Sequence, residues 1–143
     1  MRGFTLTELL IAVAIVGILS AIAIPSYTNS VVKSKRRASA VCLSSFATQM
    51  ERYYTTNLRY CVDANADGTC DSPDFVLPAL ECASAANTGR DYSYTATVTL
   101  TTYTLQATPN TTQAGRDAGC GTLTLNQTGT KAVSGTAGNT YCW

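Results

Sequence analysis

The sequence predicts an α+β chain in which one long N-terminal α-helix, its first half transmembrane, packs on a four-stranded antiparallel β-sheet. Three observations point there. Residues 4–24 read FTLTELLIAVAIVGILSAIAI, with Glu8 as their single charge. Apolar side chains then recur at Leu43, Phe46, Met50 and Tyr53/Tyr54, the spacing of one face of a 3.6-residue helix. The chain holds 23 threonines, most of them after residue 90, and β-branched enrichment of that kind favours sheet. At 143 residues a single domain is expected.

A helix over residues 4–24 is about 30 Å long, the thickness of a bilayer core. A cleaved secretory signal is the alternative, and Ala21-Ile22-Ala23 imitates its small-x-small cleavage site. Such signals carry an apolar region of only about 7–15 residues. They have no use for a carboxylate inside it, which is expensive in hydrocarbon. Glu8 therefore favours a retained membrane span.

Beyond Pro25 the helix is expected to continue to about Thr56. Val32, Leu43, Phe46, Met50 and Tyr53/Tyr54 form its stripe against a sheet. A proline removes one backbone hydrogen bond and should kink rather than end so long a helix. The whole would be roughly 80 Å long. The stripe reads as core, and no ligand is assigned to it.

Residues 59–87 read as the loop between helix and sheet. Within it, Asp63, Asn65, Asp67, Asp71 and Asp74 fall at positions 1, 3, 5, 9 and 12 of an EF-hand calcium loop. Gly68 stands at position 6, and Thr69 would contribute its carbonyl at position 7. Carboxylates crowded at alternate positions need a cation to offset them, and oxygen-only ligands select Ca²⁺. Calcium is the one cofactor expected. The loop departs from the template at Asp74, shorter than the usual Glu, and at Cys70, and no flanking helix pair is evident. An Asx-rich polar turn without metal is the alternative. Cys61 and Cys70 bracket most of this loop, and a bridge between them would contribute roughly 2–3 kcal/mol.

Four strands follow: Tyr92–Leu100, Thr102–Thr108, Gly121–Gln127 and Thr130–Ser134. Tyr92, Tyr94, Ala96 and Val98 share one face, and Leu123 and Leu125 another. Thr128-Gly129 fits a tight hairpin between the last two. Short connections imply an antiparallel meander whose apolar face needs the helix stripe as cover. Asn110-Thr111-Thr112 and Asn126-Gln127-Thr128 match the glycosylation sequon, a pattern common by chance.

Composition narrows the function. Ten bases stand against nine acids, so binding of nucleic acid by bulk charge is not expected. Histidine is absent, which removes histidine triads, most catalytic zinc sites and any imidazole switch. No nucleophile elbow and no paired cleft carboxylates stand outside the acidic loop, so a membrane-anchored enzyme has no support and no catalytic residue is assigned. Six cysteines in so short a chain suggest an oxidising compartment.

Met1-Arg2-Gly3, then Phe4-Thr5-Leu6-Thr7-Glu8-Leu9-Leu10-Ile11, resembles the class III leader of type IV pilins. The likeness continues through Gly17, Pro25 and Tyr27, where that family has its helix-kinking glycine and proline. It is looser at Glu51-Arg52-Tyr53-Tyr54, at Cys120-Gly121-Thr122-Leu123-Thr124-Leu125 and at Tyr141-Cys142-Trp143, which resemble type IVa major and minor pilins. The resemblance implies the type IV pilin fold in three parts. Residues 1–3 are a cleaved leader, shorter than most in the family. Residues 4–27 are the transmembrane and filament-core half of the helix, and residues 28–143 the periplasmic or extracellular head. It implies that a prepilin peptidase cuts after Gly3 and N-methylates Phe4. Gly3 lets the backbone enter a tight site, and Arg2 keeps the leader cytoplasmic. It also implies an assembly role for Phe4 and Glu8, the Glu8 carboxylate meeting the terminal ammonium of a neighbouring subunit. The alternative for Glu8 is a favourable charge at a helix N-terminus. Cys120 and Cys142 resemble the family's C-terminal disulfide. Cys42 and Cys82 then remain for one another, one of the 15 pairings that six cysteines allow.

The function so implied is a structural subunit, major or minor, of a type IV pilus, with roles in adhesion, twitching motility or DNA uptake. Its partners would be other pilin subunits, the prepilin peptidase and the inner-membrane assembly machinery. It would sit in the inner membrane as a single-pass precursor, C-terminus periplasmic, and then in the extracellular filament. A pseudopilin of a type II secretion system is the alternative, since those relatives often bind Ca²⁺ in the head. The run Lys33-Ser34-Lys35-Arg36-Arg37 gathers four of the ten bases. It reads as a solvated juxtamembrane face, a contact with lipid head groups, a contact with acidic surface on the next subunit, or a contact with DNA, as in minor pilins that capture it.

Overall fold

A computed structural model describes residues 5–63, 68, 70 and 77–143. Helix α1 runs from Leu6 to Asn57, 52 residues or about 78 Å, and carries Gly17 and Pro25 without a break. Thr5 caps its start, its hydroxyl accepting from the Glu8 backbone N–H at 3.3 Å. Leu58 ends it in the left-handed region at φ 56°, donating to Tyr54 O at 2.7 Å. A 3₁₀ turn at Glu81–Ala83 then leads to the sheet.

Strands β1 (Tyr92–Val98), β2 (Tyr103–Pro109), β3 (Leu123–Asn126) and β4 (Lys131–Val133) form an antiparallel meander in chain order. Val98 faces Tyr103, Leu105 faces Leu125, and Leu123 faces Val133. The inward residues are those expected: β1 presents Tyr92, Tyr94, Ala96 and Val98, and β3 presents Leu123 and Leu125. Cys42, Leu43, Phe46 and Met50 of α1 meet them, with Tyr92, Leu105, Ala107 and Leu123 almost fully enclosed. Each buried side chain of this size contributes about 1.5–3 kcal/mol.

Strands β1, β3 and β4 are shorter than the sequence suggests and β2 is shifted by one residue, because the turns take more residues. Thr99 and Thr102 close the first turn, with Thr99 N–H donating to Thr102 O at 2.8 Å, so Leu100 and Thr102 leave the strands. Gly121 sits at φ 62°, where a Cβ would also collide with Ser134 Oγ, so β3 starts only at Leu123. The β3–β4 hairpin is wider than a two-residue turn. Asn126 pairs with Thr130 across a three-residue loop, with Gly129 at φ 75°.

Two short helices were not expected from the sequence. Asn110 is the N-cap of α2 (Thr111–Arg116), accepting from Gln113 N–H at 3.0 Å. Helix α3 (Asn139–Cys142) closes the chain. Both sequon asparagines are thereby engaged, since Asn126 Oδ1 accepts from the backbone of Thr128 and Thr130. Three disulfides join Cys42 to Cys82, Cys61 to Cys70 and Cys120 to Cys142. They tie the 3₁₀ turn to α1, close the base of the acidic loop, and hold α3 against the entry to β3.

Candidate functional site

The first half of α1 has no protein cover. Leu6, Leu10, Val13, Leu19, Ile22 and their neighbours through Ile24 are all exposed. A helix that is apolar all round is stable only inside a bilayer or among other helices. It is the one helix among the described residues long and apolar enough to cross a membrane. Glu8 is the only charge between residues 5 and 24, in the first turn, and its backbone completes the Thr5 cap. A Cβ added at Gly17 would meet no side chain or other part of the chain within 4 Å. Thr28 Oγ1 donates to Pro25 O at 2.9 Å, one turn back along the helix. Gly3 and Phe4 lie outside the described residues.

The basic run is not a uniformly solvated face. Arg36 is buried, only 3% exposed, and its guanidinium pairs with the Asp117 carboxylate. It also donates to Cys142 O at 3.1 Å and Tyr141 O at 3.3 Å. Lys35 pairs with Asp91 at 2.7 Å. Two of the four bases are therefore committed to folding, and Lys33 and Arg37 stay exposed. Gln113 completes the cluster, donating to Val32 O and Tyr92 Oη at 3.2 Å each. Burial pushes the Tyr92 phenol up to about 12, against a smaller opposing effect of the Gln113 hydrogen bond.

The far end of α1 carries an aromatic cluster. Tyr60 donates to Glu51 Oε1 at 3.0 Å, and Tyr103 donates to the same oxygen at 3.0 Å. The Tyr60 ring lies 4.6 Å from Tyr54 and 4.9 Å, edge-on, from Tyr103. Burial, then the Glu51 hydrogen bond, push Tyr60 up to about 12 and Tyr103 further still. Tyr60 N–H donates to Leu100 O at 3.0 Å, which brings the β1–β2 turn to this end. Arg52 and Arg59 are exposed at this end of α1. Arg52 and Arg59 are interleaved in sequence with Tyr53, Tyr54 and Tyr60, aromatics that the 33–37 run lacks.

The Cys61–Cys70 bridge lies at the same end, with Cys70 Sγ 3.5 Å from Val98 O. Asp63 Oδ2 accepts from Gly68 N–H at 3.1 Å, and Gly68 turns at φ 83°. Asn65, Asp67, Thr69, Asp71 and Asp74 lie outside the described residues.

Comparison with known proteins matches residues 25–124 to the family described as type IV minor pilin ComP, DNA uptake sequence receptor. Residues 1–24 match the prokaryotic N-terminal methylation motif. The type IV major pilin protein PilA of Myxococcus xanthus is 42% identical over 67 residues, 47% of this chain and 30% of that protein. A fimbrial protein of Dichelobacter nodosus is 36% identical over 89 residues, 62% of this chain and 48% of its own. The chain thus spans half or less of the length of these curated relatives. A solved type IV pilin from Shewanella oneidensis superposes with a TM-score of 0.50 at 22% identity, covering 78% of this chain and 97% of that one. That likeness concerns the fold alone.

Proposed function

The chain belongs to the type IV minor pilin family whose description reads DNA uptake sequence receptor, and from that premise we propose that it is a pilus subunit that contacts DNA. The family match over residues 25–124 carries this reading. The methylation motif at residues 1–24 and the uncovered apolar helix support a membrane-anchored precursor that later enters a filament.

In this reading a prepilin peptidase cuts between Gly3 and Phe4 and methylates Phe4. The helix then spans the inner membrane with the head periplasmic, and the assembly machinery moves it into the filament. There the apolar surface of residues 6–24 exchanges lipid for neighbouring helices. Glu8 pairs with the terminal ammonium of an adjacent subunit, so two charges that are costly apart are offset together. The head stays outside, where DNA is met.

Arg52 and Arg59 are the groups we assign to DNA phosphates, since their exposed guanidinium groups suit bidentate phosphate contacts. The acidic run 63–74 follows Arg59 closely in sequence, and its charge would repel DNA. Calcium held by Asp63, Asn65, Asp67, Thr69, Asp71 and Asp74 would offset that charge, and it is proposed here on the donor set alone.

The test is a deletion strain complemented with wild-type protein or with Arg52→Ala/Arg59→Ala, with surface filaments and DNA uptake scored together. Uptake should fall in the deletion and in the double variant, the latter with filaments retained. Unchanged uptake in the deletion sinks the DNA reading, and absence of the protein from sheared filaments sinks the pilus reading.

A further inference from the structure

Where α1 leaves its apolar half, a cleft of about 180 Å³ opens between it and the segment that carries α2 and α3. Asn29, Lys33, Arg36, Arg116, Asp117 and Tyr141 line it. Asp117, the one carboxylate of the lining, is paired with Arg36 and lies near Gln113, so Lys33 and Arg116 remain as excess positive charge in the cleft. Lys33 Nζ lies 5.5 Å from the centre of the Tyr141 ring, and Arg36 Cζ lies 5.2 Å from it. The ring is 55% exposed and forms one wall. An aromatic wall, two available cations and a buried guanidinium behind them make a receptor for one compact anion.

Position along the helix selects the anion. The apolar run ends at Ile24, and Asn29 and Lys33 follow five and nine residues later, about 7.5 and 13.5 Å along the axis. The headgroup layer on each side of a bilayer is about 5–7 Å thick. Helical side chains lean toward the N-terminus, and a lysine stem reaches back toward the interface while keeping its ammonium hydrated. A lysine at this position can therefore meet a lipid phosphate while its Nζ stays beside the Tyr141 ring. Tyr27, 72% exposed and about 4.5 Å past Ile24, stands at the depth of interfacial aromatic belts.

We propose that this cleft binds the phosphate of an anionic phospholipid in the outer leaflet of the inner membrane, holding the pilin head against the bilayer before assembly. The proposal rests on residues 4–27 being membrane-spanning. It adds a contact that the filament must exchange for contacts with the next subunit. A cleft this small, backed by α1, takes a single phosphate group rather than the side of a duplex, which separates it from the DNA surface at the far end.

Trp143, the only tryptophan, packs against β4, its Nε1 donating to Ala132 O at 3.1 Å, so the reporter is placed in the cleft wall instead by Tyr141→Trp in a Trp143→Phe background, which stands as the wild type of this test. Full-length protein is reconstituted in vesicles of phosphatidylcholine, with or without phosphatidylglycerol, containing a lipid that bears a nitroxide on its headgroup. Quenching of the reporter at position 141 should be stronger with phosphatidylglycerol. High salt should abolish the difference in the wild type, because the contact is ionic. Lys33→Ala/Arg116→Ala should abolish it too, while leaving the protein resistant to carbonate extraction. Equal quenching in wild type and variant, with both resistant to extraction, overturns the cleft proposal and leaves the span intact. Extraction of the wild type by carbonate overturns the span and the cleft together. Binding of a short DNA duplex that depends on Lys33 and Arg116, with no response to phosphatidylglycerol, assigns the cleft to DNA and also overturns the proposal.

Discussion

Arg36 on α1 and Asp117 after α2 meet as a buried ion pair across 81 residues of chain. Together with the bonds from Arg36 to Cys142 O and Tyr141 O, the pair fastens the last third of the chain to the helix. Two charges taken from water need every remaining hydrogen-bonding position filled, and Gln113 and the two carbonyls largely do so.

Removing one partner leaves the other charge buried. Asp117→Ala should destabilise the head by about 3–5 kcal/mol, read as a lower urea midpoint. Lys35→Ala breaks the more exposed pair with Asp91 and should have a much smaller effect, about 1 kcal/mol or less. Equal losses in the two variants would contradict the burial argument.

The tyrosines make stability depend on alkaline pH. Tyr60 and Tyr92 are raised to about 12, above the ordinary value of 10.0 that the unfolded chain recovers. A raised folded value means that their contribution is complete below about pH 10. It declines as pH climbs toward about 12, because the unfolded state releases the proton first. The unfolding midpoint of the head should therefore drop across that window. Tyr60→Phe should make the drop shallower, and an unchanged profile in that variant would exclude Tyr60 as a cause.

Processing is read by mass. Protein recovered from membranes or filaments should begin at Phe4 with an added N-methyl group. An intact Met1, or a start near Ala23, would refute the leader reading.

Glu8→Gln should leave insertion and cleavage intact and lower the amount of protein in sheared filaments. The Thr5 cap uses the backbone of Glu8, not its carboxylate, so the helix start should survive the change. Incorporation at the wild-type level would remove the assembly role.

Calcium is tested by thermal unfolding of the head, from about residue 28 onward, in EGTA and in excess CaCl₂. With Asp74 in place of the usual glutamate, affinity is expected at about 10⁻⁴–10⁻³ M, and the midpoint should rise with calcium more than with magnesium. Identical midpoints in EGTA and CaCl₂, or a shift that survives Asp63→Ala/Asp67→Ala, would leave the run as a polar turn.

Local pattern carried the scaffold of this protein. The uninterrupted apolar run at residues 4–24, the helical stripe of Leu43, Phe46 and Met50, and the alternation from Tyr92 to Val98 each lie within a few turns or pleats of chain. Periodicity at that range is what a sequence displays directly. Tertiary structure decided what each polar residue is for. Nothing near Arg36 announces that it will be buried while Arg37 stays in water, because its partner is 81 residues away. Asn110 looked like a sequon and became a helix cap, with its amide turned to the Arg90 carbonyl 20 residues back. Glu51 became the shared acceptor of Tyr60 and Tyr103 only once β2 came to lie beside α1. A polar group is satisfied by whichever distant atoms the packed core brings to it, so its role follows from the fold and not from its neighbours in sequence.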